Sequence, residues 1–282
     1  MNTRAPLSPI DLHLHSTASD GELAPATLMH EVAVAGITMA ALTDHDTVSG
    51  IAAARQAAAG LGLNFIPGVE LTALWQRKTL HIVGLGIDAE HQNLAEYLAG
   101  VHEQRQDRAR RIARRLEGAG IEGAFEGARA LAGDGLLTRP HFARYIVAQG
   151  HARDVQEAFK RYLVRGRPGH VGTQWASMEA IIGHIHAAGG VAVLAHPLRY
   201  RLSASWMRRL LRAFSDAGAE AMEVSCGHYS RNEFEHSISL ARRYGLQGSQ
   251  GSDFHGHNSP WARPGRMPPL PDSIPPVWAP WC

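Results

Sequence analysis

Cysteine is almost missing from this chain of 282 residues: Cys226 and Cys282 are the whole supply. Two thiols make no disulfide framework, so the simplest reading is a reducing compartment. Long apolar runs are missing too. No stretch approaches the roughly 20 residues that span a bilayer, and the opening "MNTRAPLSPIDL" has no apolar signal-peptide core. A soluble, cytoplasmic protein is the expectation. Charge of one sign is not in great excess either. A formal net charge of +2 excludes a surface coated in basic groups and makes any nucleic-acid contact local. There is no internal repeat.

Histidine, by contrast, is abundant, with 17 residues in an otherwise ordinary composition of 45% hydrophobic and 19% charged residues. It is the commonest metal ligand and the usual proton shuttle, so its placement matters. Short β-rich runs at 10–15, 38–43, 64–71, 80–87, 191–195, 221–225 and 247–251 alternate with helical patterns at 25–35, 48–60, 177–188, 204–217 and 231–244. That alternation predicts parallel βα units. Seven strands at this length suggest a barrel, with an open doubly wound sheet as the alternative.

Residues 94–170 interrupt the pattern. They read as an inserted helical, Arg-rich subdomain, dividing the barrel into 1–93 and 171–282. Between positions 101 and 170 stand 14 Lys and Arg against 8 Asp and Glu, a surplus of +6 that leaves −4 for the rest. "RQDRARRIARR" is either a solvated helix face or a cationic lid over an anionic substrate. From about position 258 the chain turns rich in proline and carries three tryptophans, which are costly to leave in water. An extended tail pinned against the barrel is expected.

The polar residues collect at strand ends. His13 and His15 are two apart on a strand and therefore share a face. His184 and His186 repeat the spelling within a helical pattern, where that spacing separates them, and are expected to bind nothing. His45 in "ALTDHDT", Glu70 in "IPGVELT", His81 in "TLHIVGLGI", His196 in "VLAHP", and Asp253 with His255 in "GSDFH" follow. Asp20 could cap a helix, but Pro25 suits the first helical position and puts the cap at Ala24. Any one of these is ordinary alone. Parallel βα folds gather their sites at the C-terminal rim, and nine His, Asp and Glu converge there. Such a set, without thiolate, suits two or three divalent ions, whether Mn²⁺, Fe²⁺ or Zn²⁺.

In order, "DLHLHSTASDG", "LTDHDT", "PGVELT", "LHIVGLG", "AHP" and "GSDFH" resemble the motifs of the PHP (polymerase and histidinol phosphatase) family across nearly the whole chain. The resemblance implies a distorted (β/α)₇ barrel, TIM-like, with a trinuclear centre that hydrolyses phosphoesters. It implies one metal on His13, His15, Glu70 and Asp253. A second would share Glu70 with His81 and His196, and a third would sit on Asp20, His45 and His255. "LLTRPHFARYIV", "AHPLRY" and "SDFHGHNSPWARPGRMPPLP" are similar to the nucleoside 3′,5′-bisphosphate phosphatase subgroup, which overlaps with the 5′→3′ exoribonuclease RNase AM. The stretch "SPWARPGR" departs from the subgroup's usual wording.

The chemistry expected is in-line attack on phosphorus by a metal-bridging hydroxide held by Glu70, His13, His15 and Asp253. An anionic nucleotide also needs fixed cations, and arginine offers a planar fork for phosphate. Arg139, His141 and Arg144 of the insert, with Arg199 and Tyr200 after strand five, are the candidates to hold a remote 5′-phosphate. His228 is a further rim residue. The expected ligand is a pAp-like nucleotide or short 5′-phosphorylated RNA, with no membrane and no inferable protein partner. Alternatives are a histidinol phosphatase, an amidohydrolase, whose strand-four lysine has no counterpart here since Lys78 precedes the strand, and a non-catalytic nucleic-acid-binding module.

Overall fold

The computed structural model describes residues 8–258 and 262–282. Seven strands lie side by side in chain order: β1 (Ile10–Asp11), β2 (Met39–Leu42), β3 (Asn64–Trp75), β4 (Lys78–Leu85), β5 (Val191–Leu194), β6 (Ala221–Cys226) and β7 (Gln247–Gly251). The first and last strands meet. Leu12 N–H donates to the Gln250 carbonyl at 3.0 Å and His15 N–H to that of Phe254 at 3.0 Å, which brings the sheet round into a nearly closed barrel. The helices α1 (Pro25–Val34), α2 (Ile51–Leu61), α3 (Gln92–Glu117), α4 (Ala124–Ala132), α5 (Arg139–Ala148), α6 (Val155–Ala158), α7 (Met178–Ala187), α8 (Ala204–Asp216) and α9 (Arg231–Tyr244) complete an α/β architecture.

Wholly parallel pairing does not hold. β4 runs antiparallel to both β3 and β5. The strand pair turns over through Gln76 and Arg77, with φ of +47° and +63°, the backbone of a two-residue primed turn matched to strand twist. The reversal has a consequence for the site. His81 lies near the beginning of its strand, and only an antiparallel β4 brings that end to the rim where the parallel strands finish.

Two apolar layers follow from period-two alternation. Leu12, Ala41, Ile66, Val83, Val193 and Ala221 fill the barrel interior, where Val277 and Trp278 of the tail join them. The tail is stitched on by Val277 N–H to the Gly248 carbonyl at 3.0 Å and by Gly248 N–H to that of Pro275 at 2.8 Å. It is thus pinned, as expected, and closes the barrel end where β3 begins: Asn64 donates to the Trp281 carbonyl at 2.6 Å. Ser259, Pro260 and Trp261, the start of the unusual loop and one of the three tail tryptophans, lie outside the described residues.

The long helix α3 belongs to two cores. Leu94 and Leu98 pack with the helices around the barrel, while Ala109, Ile112, Ala113 and Leu116 pack with α4 and α5. These positions recur every three to four residues, the period of one helix face. Arg105 sits between the two groups, buried at 8% exposure. None of the helices described is long and apolar enough to cross a membrane.

Candidate metal centre

The centre forms where strand ends deliver side chains to one rim, and Glu70 on β3 is its hub. Glu70 is fully buried. Its Oε2 lies 2.8 Å from His45 Nδ1 and 3.4 Å from both His13 Nε2 and His15 Nε2. Its Oε1 lies 3.0 Å from His81 Nδ1 and 3.2 Å from His196 Nε2. Five imidazoles thus surround one carboxylate. Asp253 Oδ1 faces His15 at 3.5 Å and His13 at 3.7 Å. Asp20 faces His255 at 3.4 Å and His45 at 4.0 Å. All nine predicted residues therefore meet. Their grouping is less partitioned than the expected three sets. Ligand atoms within 4.8 Å of one another are shared by His13, His15 and Glu70, by His45, Glu70 and His81, and by His15, Asp20, His45 and His255.

Local sequence explains the placement. In the "DHD" triplet the two aspartates turn away from His45. Asp44 accepts from Ser16 N–H at 2.8 Å and from the hydroxyls of Ser16 and Ser19, each at 2.6 Å, which pins the loop carrying Asp20. Asp46 accepts from Thr72 N–H at 2.8 Å and is ion-paired to Arg105. Ala24 is the N-cap of α1, with Pro25 following and no side-chain cap, so Asp20 is free of capping. Asp11 accepts from the N–H groups of Ser252 and Gly265, each at 2.9 Å, and holds the start of the loop bearing Asp253. Gly251 is required by close approach: a Cβ there would lie 2.2 Å from His13 Cβ. Gly251→Ala should lower stability by about 1–3 kcal/mol through overpacking and displace His13. Thermal melting, with and without added divalent metal, checks both effects.

Electrostatics fit a cation. Burial alone would raise the pKa of Glu70, but His45, His81 and His13 hold it well below the carboxylate range. Asp20 is likewise held down against burial by His45 and His255. In turn, His255, disfavoured by burial, is pushed up to about 9 by Asp20 and Asp253. His15, by burial and by the facing His255, is pushed down to about 3 and is neutral. The carboxylates thus draw protons onto imidazoles because they need positive charge, which bound divalent ions would supply while releasing those protons. His13 Nε2, both ring nitrogens of His15, His45 Nδ1, Glu70 Oε2 and His81 Nδ1 are buried without a hydrogen-bond partner. Orphaned donors and acceptors of this kind are rare unless something else binds them. The residues fit a multi-metal group.

The five substrate candidates are not brought together as one clamp. Arg139 borders a cleft of about 540 Å³ whose floor includes Asp20, His45 and His81, and among the described residues it makes no ion pair. Arg199 instead donates to Asp253 Oδ2 at 2.5 Å. His141 Nδ1 accepts from Thr138 N–H at 3.1 Å in a capping box, and Arg144 donates to the Asp20 carbonyl at 2.6 Å. The Tyr200 hydroxyl donates to the Ala195 carbonyl and accepts from His81 N–H, each at 2.9 Å. It braces two strands that face the centre. His228 is half-buried beside Tyr229, and burial with the nearby Arg199 pushes it down to about 4. His184 and His186 go to separate partners, Asn93 at 2.6 Å and Glu220 at 3.0 Å.

Glu223 carries no functional mark in the sequence pattern, and Arg105 stands out there only as one arginine of "RQDRARRIARR". Glu223 on β6 accepts from His13 Nδ1–H at 2.6 Å and from His196 N–H at 2.5 Å. Arg105 lies in the cleft wall against Trp175, 4.9 Å from its ring centroid. The one available signal for Glu223 was an acidic residue inside the apolar run "AMEVSC".

The chain is similar to known proteins over nearly its whole length. A family model described as PHP domain matches residues 11–171. A 5′-3′ exoribonuclease, Rnm, of Salmonella typhimurium is 48% identical over 96% of this chain and 93% of its own. A 3′,5′-nucleoside bisphosphate phosphatase of Chromobacterium violaceum is 42% identical over 95% of each. A solved structure from the latter organism, described as an amidohydrolase with bound sulfate and no metal, superposes with a TM-score of 0.92. It is 41% identical and covers 97% of this chain and 96% of its own.

Proposed function

We infer, from a chain that belongs to the PHP domain family, that this protein is a metal-dependent phosphoesterase acting on nucleotides. It removes the 3′-phosphate of nucleoside 3′,5′-bisphosphates of the pAp kind and releases nucleotides stepwise from 5′-phosphorylated RNA. One observation carries the reading: six imidazoles and three carboxylates converge around Glu70, and three of the nine, Asp20, His45 and His81, line a cleft that arginines also border.

His13, His15, Glu70 and Asp253 would hold one ion, Glu70, His81 and His196 a second, and Asp20, His45 and His255 a third, with Mn²⁺ first and Fe²⁺ or Zn²⁺ the alternatives. Such ions lower the pKa of water toward about 7 and neutralise charge on phosphoryl oxygens. The protein's own part is to position. Residues 94–170 act as a cap that presents Arg139 to the phosphate remote from the centre, and binding that group helps seat the reacting one. Arg199, beside Asp253, provides a second cation on another flank.

Arg139→Ala should lower kcat/KM for pAp by about 10- to 100-fold, the worth of a charge-assisted hydrogen bond. A 3′-nucleotide lacking the 5′-phosphate should lose less than about threefold. Equal losses on both substrates would remove the remote-phosphate role. Phosphate release from pAp, AMP, histidinol phosphate and a short 5′-phosphorylated RNA tests the substrate class itself. A preference for histidinol phosphate would overturn it.

A further inference from the structure

The cleft is closed at its floor by the candidate metal centre. A bisphosphate fits inside, but an RNA with its 5′ end at the floor must leave through the mouth. Two arginines stand exposed at that mouth, Arg77 on the β3–β4 turn and Arg165 on the loop after residue 163. A second, open groove of about 700 Å³ is lined by residues next in sequence to those of the cleft. Arg153, Lys160, Arg161 and Arg167 border it, with Asp154 and Glu157 as its acids.

One short element joins the two spaces. Residues Phe159–Leu163 form a π-helical turn, a wider coil that is rare and frequent at functional sites. Phe159 lines the cleft, with the Arg139 guanidinium 5.9 Å from its ring centroid. Its immediate neighbours Lys160 and Arg161 line the groove. The following loop repeats the arrangement, with Arg165 on the cleft and Arg167 on the groove.

The charges there differ in kind. Arg153 and Arg161 are tied to Glu157 at 3.0 and 3.7 Å. Lys160 and Arg167 are exposed and have no side-chain partner among the described residues. Two uncompensated cations, reached over a third at the mouth, suit a flexible polyanion running along the surface.

We propose that Arg165, Lys160 and Arg167 form a track for the phosphates of single-stranded RNA lying 3′ of the linkage being cut. The proposal rests on the functional reading above and adds a binding site that mononucleotides never reach. Non-specific single-strand binding commonly uses such a positive groove following the backbone.

The test compares wild type with a Lys160→Glu/Arg167→Glu double variant on pAp and on a 5′-phosphorylated RNA of about ten nucleotides. We expect kcat/KM on RNA to fall about tenfold at low salt, with pAp unchanged within about twofold. The dependence of log affinity for labelled RNA on log salt should flatten by about 1.4, near 0.7 per lost phosphate contact. Equal losses on RNA and pAp, or no loss on either, would overturn the track. So would Arg77→Glu reproducing the RNA-specific loss when the double variant does not. Failure of the functional reading shows separately, as wild-type protein that does not release phosphate from pAp. RNA affinity of the two proteins still reads the track in that case.

Discussion

Glu70→Gln should reduce kcat/KM on a 3′,5′-bisphosphate by at least about 10³-fold, because several kcal/mol of charge stabilisation depend on the ions it helps hold. The substitution keeps the shape of the side chain and removes its charge. In the native protein both oxygens face imidazoles, with five histidines between 2.8 and 3.4 Å. Glutamine would turn an NH₂ donor toward one side of that ring and withdraw the anion from all of it. Elemental analysis of the purified variant should show fewer divalent ions per chain than wild type. His184→Ala/His186→Ala, which removes the look-alike pair, should leave both quantities within about twofold. Retention of activity within tenfold by Glu70→Gln would remove the carboxylate from the centre of the scheme.

The nine converging residues were legible because each follows a strand and strand ends are visible as apolar runs punctuated by polar residues. The direction of β4 was not. Residues 72–79 have no Asn-Gly or Asp-Gly signal to announce a hairpin, and "WQRK" is not a turn sequence by composition. Gln76 and Arg77 take left-handed backbone there because the strands on either side pair along eight positions. A local preference yields to that tertiary pairing. His81 was thus placed at the right rim under the assumption of a parallel strand, which would have carried it to the opposite end.

Partners far apart in sequence were hidden for a different reason. Asp46 and Arg105 meet across 59 positions, and His13 and Glu223 across 210. Nothing local marks either pair. The Arg-rich face of α3 read as a solvated face, with a lid as the alternative. Both descriptions apply along its length: Arg110 is half exposed against Asp107, while Arg105 is buried on Asp46 in the cleft wall. The burial changes what Arg105 can do. Its charge is already matched by Asp46, which leaves Arg108, Arg139 and the mouth arginines as the cleft arginines without an ion pair among the described residues.

Glu223 supplies the last expected result. One carboxylate oxygen accepts the Nδ1 proton of His13, so the neutral ring that a metal would need keeps its lone pair on Nε2, the atom that faces Glu70 and Asp253. The other accepts His196 N–H, at a residue held in left-handed backbone with φ of +30°. A single buried side chain therefore fixes the tautomer of one candidate ligand and the backbone of another. Glu223→Gln would offer His13 an NH₂ group or a weaker acceptor, and the first of these reverses the ring's tautomer. Partners that orient ligands in this way typically contribute 10- to 100-fold in metal affinity, and a loss of about 100-fold is expected because two ligands depend on one carboxylate. Chelator-buffered metal titrations measure it directly. Raising the metal concentration should restore most of kcat if Glu223 acts by positioning ligands. A lower melting temperature with no recovery at high metal would instead mark it as a support of the barrel alone.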